Sequence, residues 1–226
     1  KTAFVLSIAR NTAVEYNMGV AIFSLEMSSV QLVKRLIAGE ARIDSEKLRK
    51  GDLAEHEFHQ LHARIPKLSN APIFIDDTAG ISIFDFRAKC RRLKAQHDIQ
   101  LVIIDYLQLM TAKDGRNNGN REQEISTISR SIKEIAKELN IPIIALAQLS
   151  RSVEHRAGDK KPLLSDLRES GAIEQDADIV SFLYRPEYYK IMDDGQGNSF
   201  QDVAEFIIAK HRNGKTDTVR MRFEAR

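Results

Sequence analysis

A chain of 226 residues with 42% hydrophobic and 29% charged content can bury a full core in one α/β domain, which argues against a fibrous or disordered protein. Its 34 basic and 32 acidic residues leave a net charge of only +2, so any nucleic-acid binding has to come from local clusters of charge and not from an overall field. No apolar run approaches the roughly 20 residues a spanning helix needs, no signal peptide opens the chain, and the lone Cys90 excludes an internal disulfide framework. A cytoplasmic protein is expected, with Cys90 an inert thiol.

Lys1-Thr2 runs into the apolar stretch 3–9, the pattern of a phosphate loop ending in a helix. In such a loop backbone N–H groups wrap the phosphates, the lysine reaches the β and γ phosphates, and the hydroxyl residue holds Mg²⁺. The loop's glycines are absent here, and the same two residues suit an ordinary first helical turn. Short apolar runs at 20–24, 72–76, 101–105, 141–147 and 179–184 read as strands. Between them, 29–41, 55–68, 83–96 and 122–139 place apolar residues three or four apart, the helical spacing. Four such alternations predict βαβ crossovers that build a mostly parallel central sheet flanked by helices. Within 55–68, Phe58, Leu61 and Ile65 form an expected core stripe. His56, His59 and His62 lack the i, i+4 pair of a zinc protease and are not read as a metal site. Residues 203–211 and 216–223 alternate apolar with polar around Asn213-Gly214 and predict a C-terminal antiparallel hairpin at the sheet edge. Residues 112–120, 150–171 and 192–199 read as loops, the first two long enough to carry function.

Three of the predicted strands end in a polar group. Asp105 closes the run 101–105, as when a P-loop ATPase presents a carboxylate to the Mg²⁺ shell; it would equally cap the next turn. Glu26 follows the run 20–24 and would lie at the same carboxyl edge, where ligands of a doubly wound sheet gather. There it can polarise a water for in-line attack on the γ phosphate, or serve as an acid favouring the dipole of the helix that follows Ser28 and Ser29. Gln148 ends the run 141–147, where an amide can bond a phosphate oxygen and a neighbouring loop together, or simply satisfy local backbone.

Six segments appear in one order along nearly the whole chain: Ser24-Leu25-Glu26-Met27; Ile104-Asp105-Tyr106-Leu107-Gln108-Leu109-Met110; Ala147-Gln148-Leu149-Ser150-Arg151; Asp166-Leu167-Arg168-Glu169-Ser170-Gly171; Ile173-Glu174-Gln175-Asp176-Ala177-Asp178; and Lys210-His211-Arg212-Asn213-Gly214. In this the chain resembles the C-terminal RecA-like ATPase domain of the DnaB family of hexameric replicative helicases. The resemblance implies an α/β RecA-like P-loop ATPase fold and one motor domain over residues 1–226, beginning inside Walker A and without the helical N-terminal domain and linker. It implies ATP and Mg²⁺ as cofactors, with Lys1 and Thr2 as the end of Walker A, Asp105 as Walker B, Glu26 as catalytic base and Gln148 as a relay from phosphate to DNA. It further implies that Arg212, with Lys210 beside it, acts in trans on the γ phosphate bound by a neighbouring subunit, since an added arginine stabilises transition-state charge only once subunits dock. On residue pattern alone, Lys210 and Arg212 would also suit solvated charge on one face of an edge strand.

Arg168, Glu169 and Gly171 match the segment by which DnaB-like motors hold the single-stranded DNA backbone, and a glycine admits phosphate close to its amide; a charged, solvated loop is the other reading. Arg151, Arg156, Lys160 and Lys161 are weaker DNA candidates. Arg185 is expected near the nucleotide or in a structural ion pair. The partners implied are single-stranded DNA, five further copies in a homo-hexamer, primase and a helicase loader, with no membrane. Two other functions fit the pattern: a RecA-like recombination or clock-type ATPase that remodels filaments or proteins, and a scaffold that no longer binds nucleotide.

Overall fold

The computed structural model describes residues 1–112, 121–150, 152–156, 160–193 and 197–224, with the side chains of Ser152, Arg168, Glu169 and Ser170 outside that description. The chain divides into two compact units, Lys1–Ala147 and Gln148–Ala225. No described helix is long and apolar enough to cross a membrane.

The first unit is built on a parallel sheet. Its strands are β1 (Gly19–Ser24), β2 (Ile73–Asp76), β3 (Ile99–Asp105) and β4 (Ile143–Ala145), in the spatial order β2-β1-β3-β4. The two central strands are buried on both faces, as continuous apolar runs covered by helices on either side must be. The helices are α1 (Thr2–Arg10, continued by a π turn at Asn11–Glu15), α2 (Ser29–Ala41), α3 (Ser45–Lys50), α4 (Glu55–Ser69), α5 (Ile83–His97) and α6 (Arg121–Leu139). On one face of the sheet Val20, Ile22, Leu101 and Ile103 pack with Val5, Leu6 and Ala9 of α1 and with Leu32 and Leu36 of α2. Side chains alternate along a strand, so Phe23 turns the other way and meets Phe86 of α5 edge to face, with centroids 4.7 Å apart.

Local chemistry sets the element ends. Ser28 caps α2 in a reciprocal capping box with Gln31, and Arg42 closes it in the left-handed region at φ 53°, so the observed helix has the bounds that its periodicity predicts. Pro72 and Pro142 were expected inside strands but lie just before β2 and β4; having no N–H, they contribute only carbonyls, which accept from Val20 and Val102. α3 was not expected: capped by Asp44 and ended by Gly51 at φ 73°, it is too short to show a period. Phe58 is a correction. It lies 51% exposed on α4, against the ring of His62, and none of the residues of α4 is fully buried. Cys90 is buried without a disulfide, and burial pushes its thiol up to about 12, which makes it inert.

The second unit is a separate antiparallel sheet, β5 (Ile179–Tyr184), β6 (Val203–His211) and β7 (Asp217–Arg222), in that order. The predicted hairpin is thus β6–β7, but β5, expected among the parallel strands, pairs antiparallel with β6 from Ile179↔His211 to Tyr184↔Glu205. Among the described residues, the connection between β5 and β6 holds only a 3₁₀ turn at Pro186–Tyr189, with no helix to carry a parallel crossover. The stretch expected as the loop 150–171 contains α7 (Ser152–His155), a 3₁₀ segment at Leu164–Ser170 and the start of α8 (Gly171–Asp176). Most of the expected loop 112–120 lies outside the described residues.

Candidate nucleotide site and the cations of the second unit

The carboxyl edge of the parallel sheet gathers the first group of candidates. Ser24 and Asp105 are register partners on β1 and β3, and the Leu25 amide donates to the Asp105 carbonyl at 2.7 Å, so main-chain bonds fix where Glu26 and Asp105 leave the sheet. Asp105 is buried; Thr2, first residue of α1, donates its hydroxyl to Asp105 Oδ2 at 2.7 Å. The Lys1 ammonium donates to the carbonyl of Ala147 at 2.7 Å. Desolvation pulls the Lys1 ammonium below its ordinary value, with the negative charge of Asp105 opposing. The structure therefore brings Lys1, Thr2 and Asp105 together.

Glu26 stands at the same edge, two residues past Ser24, in the turn between β1 and α2. The turn is held on three sides. Ser24 Oγ donates to the Met27 carbonyl at 2.7 Å, Ser28 caps α2, and Asp77, just after β2, accepts from the Ser29 amide at 2.7 Å. The Glu26 side chain is exposed. A carboxylate held by its backbone with its oxygens in solvent suits a base.

The remaining candidates belong to the second unit. Gln148 follows directly on Ala147 in the chain and opens that unit. Arg185, just past β5, lays its guanidinium on the ring of Phe223 at 3.6 Å, and its Nε is buried without a hydrogen-bond partner. Phe223 was not anticipated: it lies just beyond β7, and only the return of the hairpin carries it to Arg185. Lys210 of β6 donates to the carbonyls of Glu174 and Ala177. Arg212 donates to the carbonyl of Gln175 at 3.1 Å and pairs with Asp178 at 3.3 Å. Lys210 is half-buried and Arg212 exposed, and both are engaged with α8 or the residues just past it. Asp178 belongs to a segment that the sequence singles out, but the sequence assigns it no role; the β5–β6 register places it opposite Arg212.

Gly171 is the first residue of α8, at φ −52° and ψ −30°. That conformation suits any residue, and a Cβ there would meet nothing within 4 Å, so nothing within the chain requires a glycine. The side chains of Arg168 and Glu169 lie outside the described residues, as does Arg151 entirely. Of the weaker DNA candidates, Arg156 is engaged with the buried Asp166 and Lys161 with the buried Glu205, while Lys160 donates to the Glu154 carbonyl. Arg156 and Lys161 are thus paired with buried carboxylates of the same unit.

The family model described as the DnaB-like helicase C-terminal domain matches residues 1–226. The chain belongs to this DnaB-like family. It is 52% identical over 223 residues to the replicative DNA helicase DnaB of Geobacillus stearothermophilus, covering 99% of this chain and 48% of that protein. It is 51% identical over 223 residues to the replicative DNA helicase DnaC of Bacillus subtilis (strain 168), with the same coverage of each. Among solved structures, a DnaB-like replicative helicase, described with its interactions with primase, superposes with a TM-score of 0.88 at 43% identity, over 98% of this chain and 52% of that one. A second solved structure, of an ATPase domain, superposes with a TM-score of 0.89 at 42% identity, over 99% of this chain and 77% of that one. The chain spans about half the length of the full-length relatives it matches, and the family accounts for the RecA-like parallel sheet.

Proposed function

We propose that residues 1–226 form one RecA-like motor domain of a replicative DNA helicase, hydrolysing ATP between the subunits of a homo-hexameric ring to move along single-stranded DNA in the cytoplasm. The observation that carries this reading is the trio Lys1, Thr2 and Asp105 at the carboxyl edge, with the exposed Glu26 beside it. Lys1 brings positive charge to the β and γ phosphates. Glu26 takes a proton from the water attacking the γ phosphorus, a reaction in which positioning and charge neutralisation do most of the work. The hydroxyl of Thr2 and the carboxylate of Asp105, already 2.7 Å apart, are the hard oxygen donors that Mg²⁺ prefers. An ion held by these two donors would arrive with the phosphates and keep several waters. Mg²⁺ held by Thr2 and Asp105 would neutralise negative charge developing on the phosphate oxygens.

Gln148 relays phosphate state to the DNA-contacting segment, and Arg185, stacked on Phe223, borders the nucleotide. Arg168, Glu169 and Gly171 hold the DNA backbone, with open space where a side chain at Gly171 would stand. Lys210 and Arg212 complete the nucleotide site of the neighbouring subunit, and primase and a helicase loader are the protein partners. The experiment is Glu26→Gln in the full-length protein, with ATPase and unwinding followed together. Loss of both is expected; undiminished hydrolysis would overturn the reading. Identity above 50% to replicative helicases gives no support to a recombination or clock-type ATPase.

A further inference from the structure

Lys210 and Arg212 are the two cations proposed to act in trans, and in this chain both are already in use. Lys210 Nζ donates to the Glu174 carbonyl, to that of Ala177 at 3.0 Å and to that of Gln175 at 3.4 Å. Arg212 Nη2 donates to the Gln175 carbonyl at 3.1 Å, and Nη1 lies 3.3 Å from Asp178 Oδ1. The acceptors are the last carbonyls of α8 and the residue just past it, groups that a helix leaves without partners of its own and that carry the negative end of its dipole. The backbone enforces the match: the Arg212 amide donates to the Asp178 carbonyl at 2.8 Å, continuing the β5–β6 ladder from Ile179↔His211. The fork of Nη1 and Nη2 that would bracket a phosphate is thus turned onto Gln175 and Asp178. The same N–H groups cannot serve these oxygens and a neighbour's phosphate together.

We propose that Asp178 and the carboxyl end of α8 form a parking site that holds Arg212 and Lys210 away from the neighbouring subunit's nucleotide until DNA engages the other end of that helix, at Gly171. The inference rests on the proposed roles of Arg212 and Gly171. Parked and extended states exclude one another, so DNA that favours the extended state raises hydrolysis, and a bound neighbour's nucleotide favours DNA binding by the same factor. Asp178 is a positioning residue here; it touches no substrate.

The test is steady-state ATPase of the full-length ring, with and without saturating single-stranded DNA, for Asp178→Asn, Asp178→Glu and Arg212→Ala. With Asp178→Asn the DNA-free rate is expected to rise about two- to five-fold, the population shift that losing one half-exposed ion pair allows, while the DNA-saturated rate stays at the wild-type level. Asp178→Glu, which keeps the carboxylate, restores the low DNA-free rate. A DNA-free rate that is unchanged in Asp178→Asn, or that falls in step with the DNA-saturated rate, overturns parking. Arg212→Ala separates the two claims. Loss of both rates supports the trans role whatever Asp178→Asn does, and retention of both overturns that role and parking with it.

Discussion

Replacing Asp105 with asparagine separates what this carboxylate does for the fold from what it does for chemistry. Asp105 is buried and accepts the Thr2 hydroxyl at 2.7 Å. The amide oxygen of asparagine can accept the same hydrogen bond, so the fold loses only the difference between a charged and a neutral acceptor, about 1 kcal/mol. A metal in that place loses a full negative ligand, and with it stabilisation of transition-state charge, for which a drop of about 100-fold in turnover is expected. Thr2→Val gives the complementary pattern. It preserves shape but strips a donor from a buried carboxylate, costing about 1.5–3 kcal/mol of stability and removing the second oxygen donor as well. The assay pairs denaturant melts with a Mg²⁺ titration of ATPase in the full-length protein. If Asp105→Asn turns over ATP within about three-fold of the unmodified protein at saturating Mg²⁺, against the 100-fold loss that such a ligand implies, Asp105 does not hold the metal.

Lys1 predicts an alkaline loss of nucleotide affinity. Its ammonium titrates below its ordinary 10.5 because it is desolvated, and polyphosphate would stabilise the charged form; affinity is therefore full below the depressed pKa and falls as pH rises through it. Nucleotide titration between neutrality and 10.5 checks this, and an alkaline limb that persists in Lys1→Arg refutes it. Gly19→Ala should destabilise the first unit by about 1–3 kcal/mol, since its Cβ would lie 3.0 Å from Ile99 Cα and 3.3 Å from the His97 carbonyl, backbone that cannot step aside; an unchanged melt would contradict the packing. Arg10→Ala strands the Glu40 carboxylate, whose side chain is 2% exposed, with only Arg64 at 3.9 Å. A loss of about 3 kcal/mol is expected, and Arg10→Ala with Glu40→Leu should recover most of it. Because Arg212 is proposed to act across a subunit boundary, the specific ATPase rate should fall on dilution in step with loss of the ring by sedimentation; a rate indifferent to assembly would place the whole site in one subunit.

The parts legible in the sequence are those that local chemistry decides. β1 and β3 are runs long and apolar enough to be strands covered on both faces, and Ser28 and Arg42 mark the two ends of α2. β5 is apolar too, but six residues do not say which strand they will join. Its antiparallel pairing goes with a connection that holds no crossover helix among the described residues, a property of the intervening chain and not of the strand. Phe58 shows the limit of periodicity: spacing tells which side chains share a face of a helix, not whether another element covers that face. At the site, Thr2 and Asp105 could be read because each ends or begins an element at the sheet edge. Phe223 could not, and Asp178 could be seen only as part of a segment that resembles the family's and not as the partner of Arg212, because strand register recruits each and nothing about an aromatic or an aspartate announces its partner across a sheet.

The two groups of candidate residues are held by forces of different strength. Glu26 and Asp105 are placed by the parallel ladder, where Ser24 faces Asp105 and Leu25 bonds its carbonyl, and moving either one alone would break main-chain bonds of a buried sheet. Lys210 and Arg212 also have ladder-held backbones, but their charged ends are held only by side-chain bonds to helix-end carbonyls and by an ion pair whose partners are 48% and 52% exposed. Such a pair is worth at most about 1 kcal/mol. Residues that must hold a metal ion and an attacking water in the same geometry at every turnover, the roles proposed for Asp105 and Glu26, gain from the first kind of restraint. Cations that must leave one set of oxygens for another need the second kind, because a coupling of about 1–3 kcal/mol between two sites can shift only an equilibrium of comparable size. A deeply buried ion pair at Arg212, costing about 3–5 kcal/mol to break, would have locked the hairpin against a change that DNA or a neighbouring subunit could drive.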